Sequence, residues 1–136
     1  AAERIDDAGL AELRRHLALM RAAETDMERL VLHDQDFHQT VSAAAQNQTM
    51  ASMLRGISSG TLRARAWRGI LEEDAGMRTI AEHETIYAAL AAGDGALARA
   101  AALVHVATTE AFLRRVLASV ESTARGRRSR REVPVP

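Results

Sequence analysis

The stretch that decides the fold is Leu30-Val31-Leu32-His33-Asp34-Gln35-Asp36-Phe37-His38-Gln39-Thr40-Val41. Within it, Leu30, Phe37 and Val41 recur at the period of an α-helix and form one apolar stripe. Asp34 and His38 fall inside that stripe, so their side chains are predicted to point into a core. A carboxylate that leaves water without a partner costs several kcal/mol. Asp34 therefore needs a cation, a cluster of hydrogen-bond donors or a metal ion.

The composition is typical of closely packed helices. The chain has 136 residues, of which 47% are hydrophobic and only 3% aromatic, with many alanines and almost no run of β-branched residues. This length fits one domain with a single core. The 18 basic residues, all of them arginine, balance 18 acidic ones. The zero net charge gives the domain body no electrostatic reason to bind nucleic acid or a membrane surface.

The absence of cysteine excludes disulfides, thiolate metal ligands and cysteine nucleophiles. We therefore expect a cytoplasmic protein. No apolar stretch is expected to approach the roughly 20 residues of a membrane span, and no signal peptide is seen at the start. These features predict no membrane partner.

Capping residues and periodicity predict an all-α antiparallel bundle of about five to six helices. The expected helices cover residues 6–23, 26–45, about 48–60, 61–74, 77–92 and 94–122. Met50, Met53 and Met77 are predicted to fill gaps in the core, whereas His16 is predicted to be a solvated surface residue. Gly93 is expected to end one helix and Asp94 to cap the next. We expect a folded domain over residues 1–123 and a disordered, arginine-rich tail over 124–136.

Two further histidines, His83 and His105, lie on the inward stripes of their predicted helices. Together with Asp34 and His38 they would bring one carboxylate and three imidazoles, from three helices, to one point in the core, as in bundle metal sites. This donor set suits a divalent transition metal, with Zn²⁺ preferred and Ni²⁺, Mn²⁺ or Fe²⁺ as alternatives.

Neighbouring polar residues are predicted to face outward. His33 points about 100° away from Asp34 on a helix, and Asp36 and Glu82 fall on outer faces by the same argument. No second inward carboxylate is evident to act as a general base, so we expect no enzyme activity. A metal-dependent hydrolase or other metalloenzyme remains the alternative. A third interpretation is a purely structural metal, or four buried polar residues that are hydrogen-bonded to each other without a metal.

The ordered set of residues resembles a known family. It comprises Asp34-Gln35-Asp36-Phe37-His38, Asn47, Glu82-His83, Ile86, Ala89, Gly93-Asp94, Ala98 and His105, with 22 residues separating His83 from His105. This pattern is similar to the FCD domain, the C-terminal effector-binding domain of FadR-type transcription regulators in the GntR superfamily.

The resemblance implies a helical bundle that binds a divalent metal and a small organic-acid effector. By motif position, Asp34, His38, His83 and His105 match the metal ligands, and Asn47 matches a position near the pocket. Arg78 and Arg65 are suggested as partners of an effector carboxylate, which arginine can grip with two parallel hydrogen bonds.

Such regulators act as homodimers whose winged helix-turn-helix domains hold operator DNA. The resemblance implies that operator binding requires this N-terminal domain, which does not precede the bundle in this chain. The first helix of the family's bundle is also expected to be absent, since Ala1-Ala2-Glu3-Arg4 matches the end of that helix.

Overall fold

A computed structural model describes the backbone of residues 1–72 and 74–131 and the side chains of residues 1–63, 65–68, 71–72 and 74–119. The described chain is an all-α bundle. Its five helices are α1 (Asp7–Ala22), α2 (Met27–Ala44), α3 (Gln48–Leu71), α4 (Ala75–Ala91) and α5 (Gly95–Arg131). Connections of three or four residues join consecutive helices, and such short links make neighbouring helices antiparallel.

Side-chain caps set most of the helix starts. The carboxylates of Asp6, Asp26 and Asp94 accept hydrogen bonds from the amides of Gly9, Arg29 and Leu97, respectively. These bonds satisfy amides that have no partner within the helix. The predicted cap Asp94 is confirmed, and Asp6 and Asp26 cap their helices at the predicted starting positions 6 and 26.

The turn between α4 and α5 depends on Gly93. Its φ angle of +67° lies in the left-handed region, which glycine enters without steric cost. The amide of Gly93 donates to the carbonyl of Leu90, and the amide of Asp94 donates to that of Ala89. These two bonds form a Schellman motif, which satisfies the last carbonyls of α4 and confirms the predicted boundary.

The core lies mainly between α1, α2 and α4. One cluster of buried side chains consists of Leu13, Leu17, Phe37, Ile86 and Leu90. A second consists of Met20, Ala23, Leu30 and Ile80. The apolar stripe predicted for α2 is confirmed by the burial of Leu30 and Phe37, and the two clusters lie on either side of the polar residues Asp34 and His83.

Helix α3 differs from the prediction. The sequence predicted a break near Ser58-Ser59-Gly60, but one helix runs continuously from Gln48 to Leu71. The hydroxyls of Ser59 and Thr61 donate to the carbonyls of Arg55 and Ile57, so these residues satisfy their polar groups inside the helix. An isolated glycine costs a helix only about 1 kcal/mol.

Several burial predictions are wrong. Met50, Met53 and Met77 were expected in the core but are more than half exposed, because α3 and the start of α4 turn these side chains away from the bundle. Conversely, His16 was expected at the surface but is only 3% exposed. It lies on the side of α1 that α2 covers.

Helix α5 extends beyond its predicted end. The helix continues through residues 124–131, in keeping with the high helix propensity of arginine, and the disordered tail over 124–136 stays a prediction. Residues 132–136 lie outside the described residues. The stretch Gly95–Ser119 is long and apolar enough, with a mean hydropathy of 1.3, to span a membrane on length and composition alone. The prediction that no apolar stretch approaches the length of a membrane span is therefore wrong on this criterion. A single helix of this kind is weak support for a membrane span.

Candidate metal centre

Four side chains from three helices converge between the two apolar clusters. Asp34 and His38 lie one turn apart on α2, His83 lies on α4, and His105 lies on α5. One ligand atom from each of them lies within 4.8 Å of the others. The structure therefore brings together all four residues that the sequence predicted as metal ligands.

The separations between these atoms fit a single ion. Oδ1 of Asp34 lies 2.9 Å from Nε2 of His83, and Nε2 of His83 lies 3.2 Å from Nε2 of His38. Nε2 of His38 lies in turn 3.1 Å from Nε2 of His105. Ligand atoms about 2.0 to 2.1 Å from a tetrahedral Zn²⁺ are roughly 3.3 Å apart. The donor set and its spacing thus fit a divalent transition metal.

Two of the imidazoles have a hydrogen-bond partner on the ring nitrogen that faces away from the centre. Nδ1 of His83 lies 2.7 Å from the carbonyl oxygen of Thr79, and Nδ1 of His105 lies 2.8 Å from a carboxylate oxygen of Glu82. Because both oxygens can only accept, each ring carries its proton on Nδ1 and directs the Nε2 lone pair at the centre. Metal-binding histidines commonly have such partners, which fix the tautomer and raise the basicity of the ligand.

The three histidines are held in the neutral form. Burial lowers the pKa of His38 to about 4. Burial, followed by the charges of neighbouring groups, lowers the pKa of His83 to about 3 and that of His105 to about 2. A metal ligand must be deprotonated, so at neutral pH these rings are in the state that can bind an ion.

Arg65 is the cation that pairs with the buried Asp34 carboxylate. It forms an ion pair with Oδ2 of Asp34, opposite the Oδ1 atom that contacts His83. A second guanidinium nitrogen donates to the carbonyl of Ser58 at 3.1 Å. Because the two carboxylate oxygens have different partners, Arg65 can orient Asp34 while leaving Oδ1 directed at the histidines.

A cavity of about 520 Å³ adjoins this centre between α2, α3 and α5. Its walls include the apolar side chains of Val41, Leu54, Ile57, Val106 and Leu113. His38, His105 and Arg65 belong to both the cavity wall and the polar centre. A small molecule in this cavity would touch apolar side chains and could meet metal ligands and a guanidinium directly.

Two of the predicted effector-binding residues are not brought to this cavity. The side chain of Asn47 caps α3 by accepting from the amide of Met50 at 3.0 Å, and it is exposed. Arg78 is also exposed and forms an ion pair with Glu72 at 3.1 Å. Neither side chain lines the cavity, whereas Arg65 does, and the effector-binding role of all three residues stays a prediction.

Glu82 is the residue of the centre that the sequence analysis missed. It was assigned to an outer face, but its carboxylate contacts His105 and is largely covered. Burial raises its pKa. Its position beside His83 in the sequence was a usable signal. Whether that face of α4 is covered depends on where α5 packs, which periodicity within α4 cannot reveal.

The chain belongs to the FCD domain family, whose family model matches residues 1–108. It is also similar to the HTH-type transcriptional regulator LutR of Bacillus subtilis (strain 168), with 35% identity over 117 residues. That alignment covers 83% of this chain and 53% of LutR, so the chain spans about half the length of this relative. Together these findings place the chain in the FCD family of GntR-type regulators, the family to which the resemblance pointed.

Proposed function

We propose that this chain is the metal-binding, effector-sensing domain of a FadR-type transcriptional regulator. Asp34, His38, His83 and His105 would hold a divalent transition metal, with Zn²⁺ preferred over Ni²⁺, Mn²⁺ or Fe²⁺. A small organic acid would bind in the adjoining cavity and control how an N-terminal winged helix-turn-helix domain binds operator DNA. The observation that carries this proposal is the convergence of the four ligand atoms at the end of the cavity.

Elemental analysis of protein purified without a chelator or a nickel column tests the metal site. Asp34→Ala should lower the transition-metal content by one ion per chain, because it removes the single anionic ligand. Glu28→Ala is the matched control, since it removes an exposed carboxylate of the same helix. Retention of the full metal content by Asp34→Ala would contradict the assignment.

Arg65 is the best candidate to recognise an effector carboxylate. It lines the cavity and also contacts the ligand Asp34, so it can sense both the metal centre and the bound molecule. A guanidinium group is planar and can form two parallel hydrogen bonds to a carboxylate. An ammonium group cannot match this geometry.

Calorimetric titration of the metal-loaded protein with a panel of short-chain carboxylic acids tests this role. Arg65→Lys should weaken binding of a carboxylate by roughly tenfold, the effect of losing about one charge-assisted hydrogen bond. Arg78→Lys is the control, because that arginine lies at the surface, away from the cavity. An equal loss of carboxylate affinity in both variants would show that Arg65 does not bind the effector.

The assembly of the whole regulator is part of the proposal. Large apolar side chains are exposed on α3 and α5, among them Met53, Ile57, Leu103, Val104 and Leu117. Covering them in a homodimer would remove this surface from water. Analytical ultracentrifugation should show a dimer, and a monomer across micromolar concentrations would contradict it. A cytoplasmic location and operator binding through the N-terminal domain complete the proposal.

A non-enzymatic role fits the surroundings of the centre better than a hydrolase. The carboxylate of Glu82 is engaged by His105, and that of Glu110, at the cavity wall, is engaged by Arg114 at 2.6 Å. Both carboxylates therefore have a basic partner in this arrangement, which a general base would have to give up before it could activate a water molecule.

A further inference from the structure

A second group of metal-binding side chains lies between α1 and α2, apart from the core centre. It consists of His16 on α1 and of His33 and Asp36, one turn apart, on α2. One ring nitrogen from each histidine and one carboxylate oxygen of Asp36 lie within 4.8 Å of one another. Two imidazoles and a carboxylate form a donor set that suits divalent first-row metals.

Both histidines carry a buried ring nitrogen for which the described residues provide no hydrogen-bond partner. These atoms are Nδ1 of His16 and Nδ1 of His33. His16 is only 3% exposed, so its unpaired nitrogen is withdrawn from solvent. Buried polar atoms in native proteins nearly always have a partner, and each exception requires an explanation. A metal ion bound by the two rings would provide one.

The surroundings of His16 favour the tautomer that a metal needs. Oε1 of Glu12 lies 3.1 Å from Nε2 of His16. A carboxylate only accepts, so this shorter contact favours a proton on Nε2 and a lone pair on Nδ1, although Arg15, 3.3 Å from the same Nε2, can only donate to it. A carboxylate behind a ligand histidine is the arrangement seen again at His105 and Glu82, and it orients such ligands in metalloproteins.

The local charge also favours a cation. Arg15 lies 3.3 Å from Nε2 of His16, but it makes hydrogen bonds of 2.6 and 3.0 Å with the Glu12 carboxylate. Glu12 and Asp36 together outweigh this one guanidinium by one negative charge. An incoming divalent ion would therefore meet a net negative site.

We propose that His16, His33 and Asp36 form a second divalent-metal site, of the Zn²⁺ type, that clamps α1 to α2. Two ligands of one Zn²⁺ ion are roughly 3.3 Å apart, so the group has to contract from its present spread of up to 4.8 Å. Asp36 is exposed, and rotation of its side chain can supply this movement. Three protein ligands leave a coordination position for water.

Titration of the metal-free chain with Zn²⁺ or Co²⁺, followed by calorimetry and by the Co²⁺ absorption spectrum, tests this site. The wild-type protein should bind one ion more per chain than Asp36→Asn or His33→Ala, or bind that ion at least on the order of tenfold more tightly. Glu28→Gln is the matched control, since it removes an exposed carboxylate of α2 outside the group. Circular dichroism establishes that the variants are folded.

The outcome separates this proposal from the core centre. An ion lost in Asp36→Asn but retained in Asp34→Ala belongs to the second site, even if the core centre binds none. Identical stoichiometry and affinity in wild type, Asp36→Asn and His33→Ala would overturn the proposal. So would an equal loss in Glu28→Gln, because that would show nonspecific binding to surface carboxylates.

Discussion

The two sides of the bundle use similar sequence patterns for different ends. On one side, the apolar residues of α1, α2 and α4 interlock into buried clusters. On the other, α3 and α5 are also rich in apolar residues, yet many of these are exposed or line the cavity. The candidate metal centre lies at the boundary between the two sides. The packed side fixes the positions of the polar residues. The incompletely packed side leaves room in which a small molecule could bind.

The largest effect on stability is expected on the packed side. Phe37 is fully buried, and its ring lies edge-on to that of His83, with centroids 4.8 Å apart. Phe37→Ala should lower the free energy of unfolding by about 3 to 5 kcal/mol, because it removes buried surface and leaves a cavity. Urea denaturation of the metal-free protein measures this change. A loss below about 1 kcal/mol would show that this side is not packed as described.

The boundary between the sides should make stability depend on pH. Because His38, His83 and His105 have lowered pKa values in the folded protein, the unfolded chain binds more protons below its own pKa of about 6.5. These histidines do not lower the free energy of unfolding above pH 6.5, where they are neutral in both states. The free energy of unfolding then falls as the pH drops from 6.5 towards 4. We expect the metal-free protein to lose about 2 kcal/mol or more over this range.

Urea denaturation at pH 7.5 and 5 checks this prediction before most carboxylates titrate. Constant or rising stability towards pH 5 would contradict it. His83→Asn, which removes one of the three titrating side chains, should make the profile less steep, whereas Glu28→Gln should leave it unchanged.

A smaller effect is expected at the turn that orients α5 relative to α4. Gly93→Ala places a side chain at a φ angle of +67°, which should cost about 1 kcal/mol. Gly95→Ala is the control, since Gly95 begins α5 and a Cβ there would meet no atom within 4 Å. Thermal unfolding of both variants separates the strain at the positive φ angle from the general effect of replacing a glycine by alanine. An equal change in both would contradict the role assigned to Gly93.

The smallest effect is expected on the exposed side. Met53 is 66% exposed in the single chain, so Met53→Ala should change the free energy of unfolding of the monomer by no more than about 0.5 kcal/mol, and by more at concentrations where the proposed homodimer covers this residue. Chemical denaturation at several protein concentrations tests this. A larger loss that grows with concentration would show that a second subunit covers this face.

The sequence was most informative where the side chains themselves define a periodic pattern. Asp34, His38, His83 and His105 were predicted as a set because each interrupts an apolar stripe, and the structure brings all four together. His16 and Glu82 were misplaced because their burial depends on the neighbouring helix. The continuity of α3 was missed because Ser59 and Thr61 bond within the helix, although the same residue types often end one.

The formal charges around the core centre limit what can bind there. Asp34 and Glu82 contribute two negative charges and Arg65 one positive charge, while the three neutral imidazoles add none. The sum is −1 when both carboxylates are ionised, and a divalent cation in the proposed site would change it to +1. One further carboxylate would restore neutrality in a partly buried space, where uncompensated charge is costly. On this count a bound monoanion would leave the core centre neutral, whereas a dianion would need a further cation, such as Arg55 at the cavity wall.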